Sequence, residues 1–227
     1  MKVGLLEAGT YPAATPGGDQ GYGQLFVSLL AGQSLSFETY PLFEGKFPES
    51  AEACDAWLIT GSKLGAYDDD PLIEPLEALT RDIVATNRPL LGVCFGHQII
   101  AQALGGRVEK WAGGWNLGAT SYETDAGPVR LHAFHQDQVV AMPDGAKLTA
   151  SHPGCVNAGF RIGDTVLTYQ AHPEFTNPVF TKMIDKRRNA LPPELVATAT
   201  SDGAPALDTD AVVAEMVAHL KKEPVHG

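Results

Sequence analysis

An apolar run that ends on a cysteine and restarts as a helix constrains this chain more than any other feature. The segment is PLLGVCFGHQIIAQALGG, residues 89–106. Residues 89–93 read as a buried strand, and residues 97–104 read as a helix stopped by Gly105-Gly106. Gly92 stands two residues before Cys94, and Gly96 two after it. A sharp strand-to-helix turn crowds its own flanks, and glycines relieve that crowding, as in the G-x-S-x-G elbow. Such a turn lifts its central side chain clear of the carboxyl edge of a sheet, where open α/β sheets bind ligands.

The sequence on either side supports that architecture. Lys2–Glu7, 34–42 and 56–60 read as short strands, and 22–30 and 72–87 as helices. Leu72, Leu76, Leu79 and Ile83 share one face of the second helix. Short apolar strands alternating with helices predict a mostly parallel sheet covered on both faces. From 107 to 169 the pattern changes to VRLHAF, AKLTAS, GFRIG and VLTYQ, separated by Gly, Pro and Asp. These segments predict strands that are partly antiparallel. Residues 178–189 and 208–222 are amphipathic and helical, while 10–21 and 199–206 read as loops. No repeat or linker interrupts the 227 residues, so the expectation is one α/β domain spanning 1–227.

Bulk properties narrow the function. A net charge of −11 disfavours nucleic acid and anionic lipid as partners. No stretch approaches the length of a membrane span, and the N-terminus has no apolar core long enough for a signal peptide. Cys54, Cys94 and Cys155 are odd in number and widely spaced. This argues against a disulfide framework or a zinc knuckle and for a reducing cytoplasm.

Of the three cysteines, only Cys94 has a glycine frame and a helix behind it. The free N–H groups and positive dipole of that helix point at the thiol and favour the reactive thiolate. The Phe95 N–H can face an oxyanion forming on a substrate carbonyl. The alternative, a small cysteine filling a tight turn, fits Cys54 and Cys155 better. A nucleophilic cysteine needs a base, and the base needs an orienting group. His172 and Glu174 stand in TYQAHPEF, after the apolar run VLTYQ. Two residues apart on extended chain they would share one side, so the carboxylate could fix the imidazole tautomer. His97 follows the turn too closely to swing onto the sulfur. His132 and His135 lack the acidic or cysteine neighbours of a metal site.

GVCFGHQ at 92–98 together with AHPEF at 171–175 resembles the class I glutamine amidotransferase family. ITGS at 59–62, YDD at 67–69, ALGG at 103–106 and FHQDQV at 134–139 extend the resemblance over nearly the whole chain. The resemblance implies the flavodoxin-like fold of that family and a Cys94–His172–Glu174 triad acting through a γ-glutamyl thioester. It also implies an oxyanion hole from the Gly61 and Phe95 N–H groups. Gln98 matches a position that holds the glutamine substrate, and Phe134 and His135 match a loop lining the same pocket. Many members read Gly-Gly-Pro where this chain has Gly61-Ser62-Lys63.

No metal or organic cofactor is implied, because a thiolate and an oxyanion hole suffice for acyl transfer. With no acceptor domain in the sequence, the chain resembles a free-standing glutaminase domain of GMP synthetase. GWNLG at 114–118 resembles a stretch in plant γ-glutamyl peptidases. Three functions follow. The first is hydrolysis or transfer at a γ-glutamyl amide. The second is a glutaminase subunit feeding ammonia to a separate synthetase. The third is a non-catalytic thiol sensor or binding module, which would not need His172, Glu174 and Gln98 together. Residues 63–71 and the 10–21 loop are candidates to shape the leaving-group pocket.

Overall fold

The computed structural model describes residues 1–12, 19–201 and 203–222. Its strands are β1 (Lys2–Glu7), β2 (Thr10–Pro12), β3 (Asp19–Gly21), β4 (Ser36–Pro41), β5 (Ala56–Ile59), β6 (Leu90–Val93), β7 (Arg107–Lys110), β8 (Asn116–Thr124), β9 (Val129–His135), β10 (Asp137–Ala141), β11 (Ala146–His152), β12 (Cys155–Ile162) and β13 (Val166–Tyr169). The α-helices are α1 (Gly23–Leu29), α2 (Ile73–Ala85), α3 (Phe95–Ala103), α4 (Asn177–Arg187), α5 (Pro193–Ser201) and α6 (Thr209–Leu220).

A nine-stranded sheet runs β4-β1-β5-β6-β13-β12-β11-β8-β9. Its first five strands are parallel, and from β13 onward every pairing is antiparallel. The parallel strands β5, β6 and β13 are buried at every position because helices cover both faces. On one face α2 and α3 bring Leu76, Ile83, Ile99 and Ile100 against Trp57 and Leu90. On the other, α1 and α6 bring Phe26, Leu30, Met216 and Leu220 against Leu5, Leu58 and Leu91. The mostly parallel sheet with helices on both faces and an added antiparallel portion matches the sequence expectation.

Three details differ from it. The 10–21 segment carries the short ribbon β2–β3 at its ends, and its middle lies outside the described residues. Helix α3 starts at Phe95, directly after the cysteine. The 199–206 segment is helical through Ser201, as the end of α5, where threonine hydroxyls bond back onto the helix, Thr198 to Glu194 O and Thr200 to Val196 O. No described helix is long and apolar enough to cross a membrane.

Candidate active site

Adjacent strands β5, β6 and β13 end side by side, and the next few residues of each carry Gly61, Cys94 and His172. Parallel register therefore gathers at one edge residues that lie far apart in sequence. Cys94 adopts φ 55° and ψ −106°, a strained geometry for a residue with a Cβ. Its N–H donates to Tyr169 O at 2.8 Å, and its carbonyl accepts from Gln98 N at 3.1 Å. The two flanking glycines have steric causes. A Cβ on Gly92 would lie 2.5 Å from Gly96 O, and one on Gly96 would collide with the carbonyl oxygen of Ile59. Helix α3 starts at the next residue, so the first N–H groups, beginning with Phe95, have no partner within the helix.

His172 and Glu174 are both buried, and His172 Nδ1 donates to Glu174 Oε1 at 2.7 Å. The Cys94 side chain is a second hydrogen-bond partner of the imidazole. Burial alone would drive the imidazolium to lose its proton, but the Cys94 sulfur and the Glu174 carboxylate outweigh it and raise His172 to about 10. The local backbone differs from the extended chain expected. His172 forms a single antiparallel bridge to His132, and Phe175 N then donates to His172 O at 3.3 Å, closing a turn. The turn, rather than strand alternation, brings Glu174 back to the ring. Phe175 stacks on the imidazole, with centroids 4.0 Å apart and planes within 7°.

The other cysteines stand apart from this chemistry. Cys54 is buried, with its thiol pushed up by burial, and Cys155 is pushed up to about 12 by burial and then by Cys94. His97 is fully buried behind the turn, with Nδ1 2.8 Å from Thr168 Oγ1, and burial lowers it to about 3.

Cys94 opens into a cleft of about 260 Å³. Of the residues expected to form the site, Phe95, Gln98, Phe134, His135 and His172 line its wall with Cys94, whereas Gly61 and Glu174 are not part of that lining. Gly61 lies beside the dyad, its Cβ position 3.5 Å from His172 Cε1 and 3.9 Å from Cys94 Cβ. Gln98 spends both amide N–H donors within the protein, on Asp137 O (2.9 Å) and Gln170 Oε1 (3.0 Å), so its own oxygen remains for a ligand donor. His135 Nδ1 donates to the same Asp137 carbonyl at 3.1 Å. Burial lowers this ring to about 3, so it is neutral and Nε2 is an acceptor. Of the two candidate loops, 63–71 supplies Lys63, Leu64, Gly65, Tyr67 and Asp68, whereas the described residues of 10–21 line none of the cleft.

The sequence reading missed Tyr22, Lys110, Trp115, Asp137, Met183 and Arg187, which also line it. They come from elements scattered over most of the chain, and no local spacing ties them together. Only the positions of Asp137 inside FHQDQV and Trp115 inside GWNLG carried a usable signal. Among the described residues, no group of His, Cys, Asp and Glu could hold a metal ion.

A family model described as glutamine amidotransferase class-I matches residues 38–188. The chain belongs to the class I glutamine amidotransferase family. Within it, the chain is 31% identical to gamma-glutamyl peptidase 4 of Arabidopsis thaliana, over 73% of this chain and 72% of that one. It is 39% identical to one of the subunits of the glutamine-hydrolysing GMP synthase of Halobacterium salinarum, over 41% of this chain and 57% of that one. The fold is shared with a solved glutamine amidotransferase from Thermotoga maritima, with a TM-score of 0.73 at 20% identity, covering 97% of this chain and 96% of that one. The protein is thus an enzyme of the class I amidotransferase type that uses a cysteine nucleophile, and its family supports amide hydrolysis.

Proposed function

We propose that the protein hydrolyses a γ-glutamyl amide, in glutamine or a γ-glutamyl peptide, through a thioester on Cys94. The observation that carries this reading is the buried Cys94–His172–Glu174 chain of contacts at the carboxyl edge of the sheet. The Cys94 thiolate attacks the γ-carbonyl carbon, and the carbonyl oxygen becomes an oxyanion facing the N–H groups of Gly61 and Phe95. The His172 imidazolium gives its proton to the leaving nitrogen as the C–N bond breaks. Neutral His172 then takes a proton from water, whose oxygen attacks the thioester. Glutamate leaves, and the sulfur returns as thiolate beside imidazolium. Glu174 fixes the tautomer throughout. Gln98 Oε1 accepts a hydrogen bond from the α-ammonium or an amide N–H group of the substrate. Gamma-glutamyl peptidases among the relatives favour a peptide substrate.

The test is glutamate release from glutamine and from γ-glutamyl dipeptides, run beside Cys94→Ala, with mass spectrometry for a γ-glutamyl adduct on Cys94. Release that persists in Cys94→Ala would sink the reading. A second reading, an ammonia-supplying subunit, is favoured by the similarity to part of a GMP synthase. It predicts that glutamine is the better substrate and that an ATP-dependent amidating partner stimulates turnover.

A further inference from the structure

The charges around the catalytic cleft run against those of the chain. The protein carries −11 overall, yet Lys63, Lys110 and Arg187 all line this one cleft. Its two aspartates are engaged within the protein. Asp68 Oδ2 accepts from Gly65 N at 2.8 Å, and Asp137 Oδ1 from the Tyr67 hydroxyl at 2.9 Å. Lys110 is the cross-strand partner of Asp137 in the β7–β10 ribbon, and its charge acts on that carboxyl. The side chains of Lys63 and Arg187 have neither an ion pair nor a hydrogen bond among the described residues.

Arg187 is the more informative of these two, since it is half-buried where Lys63 is exposed. It is the last residue of α4, and a cation there also meets the helix dipole. Lys186 and Arg188 beside it can serve the dipole as well, and Arg188 is paired with Asp185 at 2.8 Å. Of the three, only Arg187 lines the cleft. A half-buried guanidinium without an anion forgoes charge-assisted hydrogen bonds, and a carboxylate supplies two at once to its planar fork.

The position of Arg187 relative to the chemistry identifies that carboxylate. The leaving nitrogen takes its proton from His172, so the leaving group lies on the imidazole side of Cys94. A continuous wall runs from the imidazole to Arg187. Phe175 stacks on the ring, and Tyr22 stacks on Phe175 with centroids 6.2 Å apart. The Tyr22 hydroxyl reaches Met183 Sδ at 4.0 Å, and Met183 stands one helical turn before Arg187. Gln98, which takes the substrate's α-ammonium or amide, is bonded instead to the carbonyl of Asp137, the partner of Lys110. The cleft thus has Lys110 on the Gln98 side and Arg187 on the leaving-group side.

We propose that Arg187 reads the carboxylate of the leaving amine. The enzyme then selects substrates whose leaving amine itself carries a carboxylate, as in a γ-glutamyl amino acid or short peptide. This inference rests on the hydrolysis proposed at Cys94 and adds the residue that selects among its substrates.

The experiment compares glutamate release from γ-glutamylglycine and γ-glutamylglycinamide, in which an amide replaces the carboxylate. The enzymes are wild type, Arg187→Met, Arg187→Lys and Cys94→Ala. Wild type should favour the acid in kcat/KM by at least about tenfold. The preference should lie chiefly in KM, because the guanidinium holds the carboxylate in ground and transition states alike. Arg187→Met should lower the ratio at least about tenfold through a higher KM for the acid. Arg187→Lys, a point charge in place of the fork, should give an intermediate ratio. A merely structural role would lower kcat on both substrates together and leave the ratio as it was. Equal Cys94-dependent turnover of both substrates by wild type overturns the role of Arg187 while hydrolysis at Cys94 stands. So does a preference that Arg187→Met leaves undiminished. Release that persists in Cys94→Ala, or no release from either substrate, overturns the hydrolysis and this inference with it.

Discussion

Cys94 and Gly61 stand on the parallel half of the sheet, whereas Phe134 and His135 stand on β9 at the far end of the antiparallel half. Five positions separate β6 from β9 in the strand order, yet both line one cleft. The antiparallel half curls back far enough for His132 of β9 to bridge His172, with His172 N donating to His132 O at 2.9 Å. Asn177 at the start of α4 braces that return, with its side-chain oxygen 2.9 Å from His132 Nε2 and its amide nitrogen donating to Pro205 O. The nucleophile is therefore placed by short-range geometry at one turn, and the opposite wall by long-range closure. His172 is where the two meet.

The largest expected effect lies on the parallel side. Cys94→Ala should lower glutamate release by at least about 10⁴-fold, with the circular dichroism spectrum unchanged. The sulfur is the reacting atom, and nothing else in the cleft is a thiol. Residual activity within a hundredfold of wild type would move the nucleophile elsewhere.

Gly96→Ala attacks the same turn through its backbone. The new Cβ meets the carbonyl oxygen of Ile59, which sits in the fully buried strand β5 and has no room to withdraw. Stability should drop by about 1–3 kcal/mol or more, read as a lower urea midpoint, with activity falling alongside. An unchanged midpoint would show that the elbow tolerates a side chain and that its glycines are not steric necessities.

That contrast also explains how much of the site was legible in the sequence. The Cys94 turn could be read because its cause is local: Gly92 and Gly96 are the residues that must lack a Cβ for strand and helix to meet. Spacing also paired His172 with Glu174, although the structure closes the pair through a turn where alternation along a strand was expected. Gln98, Phe134 and His135 came from family resemblance alone, and all three line the cleft. Tyr22, Lys110, Met183 and Arg187 could not be read, since their convergence depends on how the antiparallel half closes and how α4 docks. The end of α5 was missed because PELVATATS offers weak helix formers, whose hydroxyls are satisfied only once the helix exists.

At the meeting point, Glu174→Gln should lower kcat by about 10²-fold and shift its pH dependence. The imidazolium must protonate the leaving nitrogen, so activity falls as pH rises through the folded value of His172, about 10. Glu174 is one of the groups holding that value up, and its loss moves the alkaline limb to lower pH. An unmoved limb with kcat within twofold would remove Glu174 from the machinery.

The smallest effect separates the two halves by titration. Four histidines are buried and held neutral: His97 at about 3 and His219 at about 4 in the helices packed on the parallel half, His135 at about 3 and His132 at about 4 on β9. Burial is the first cause in each case, and each value lies below the ordinary 6.5 of an unfolded histidine. The unfolded chain therefore binds protons that the folded chain refuses. Stability held above pH 6.5 is lost as pH falls toward 4. His219 Nε2 lies 3.1 Å from Leu90 O, a contact that a glutamine side chain can replace without titrating. His219→Gln should flatten the fall in urea midpoint between pH 6.5 and 4 by about one proton's worth of slope, leaving pH 7 stability close to wild type. If the slope stays the same while His132→Gln flattens it, acid unfolding starts in the antiparallel half and the parallel half follows. If both variants flatten it equally, the two halves unfold as one cooperative unit despite their different routes to the cleft.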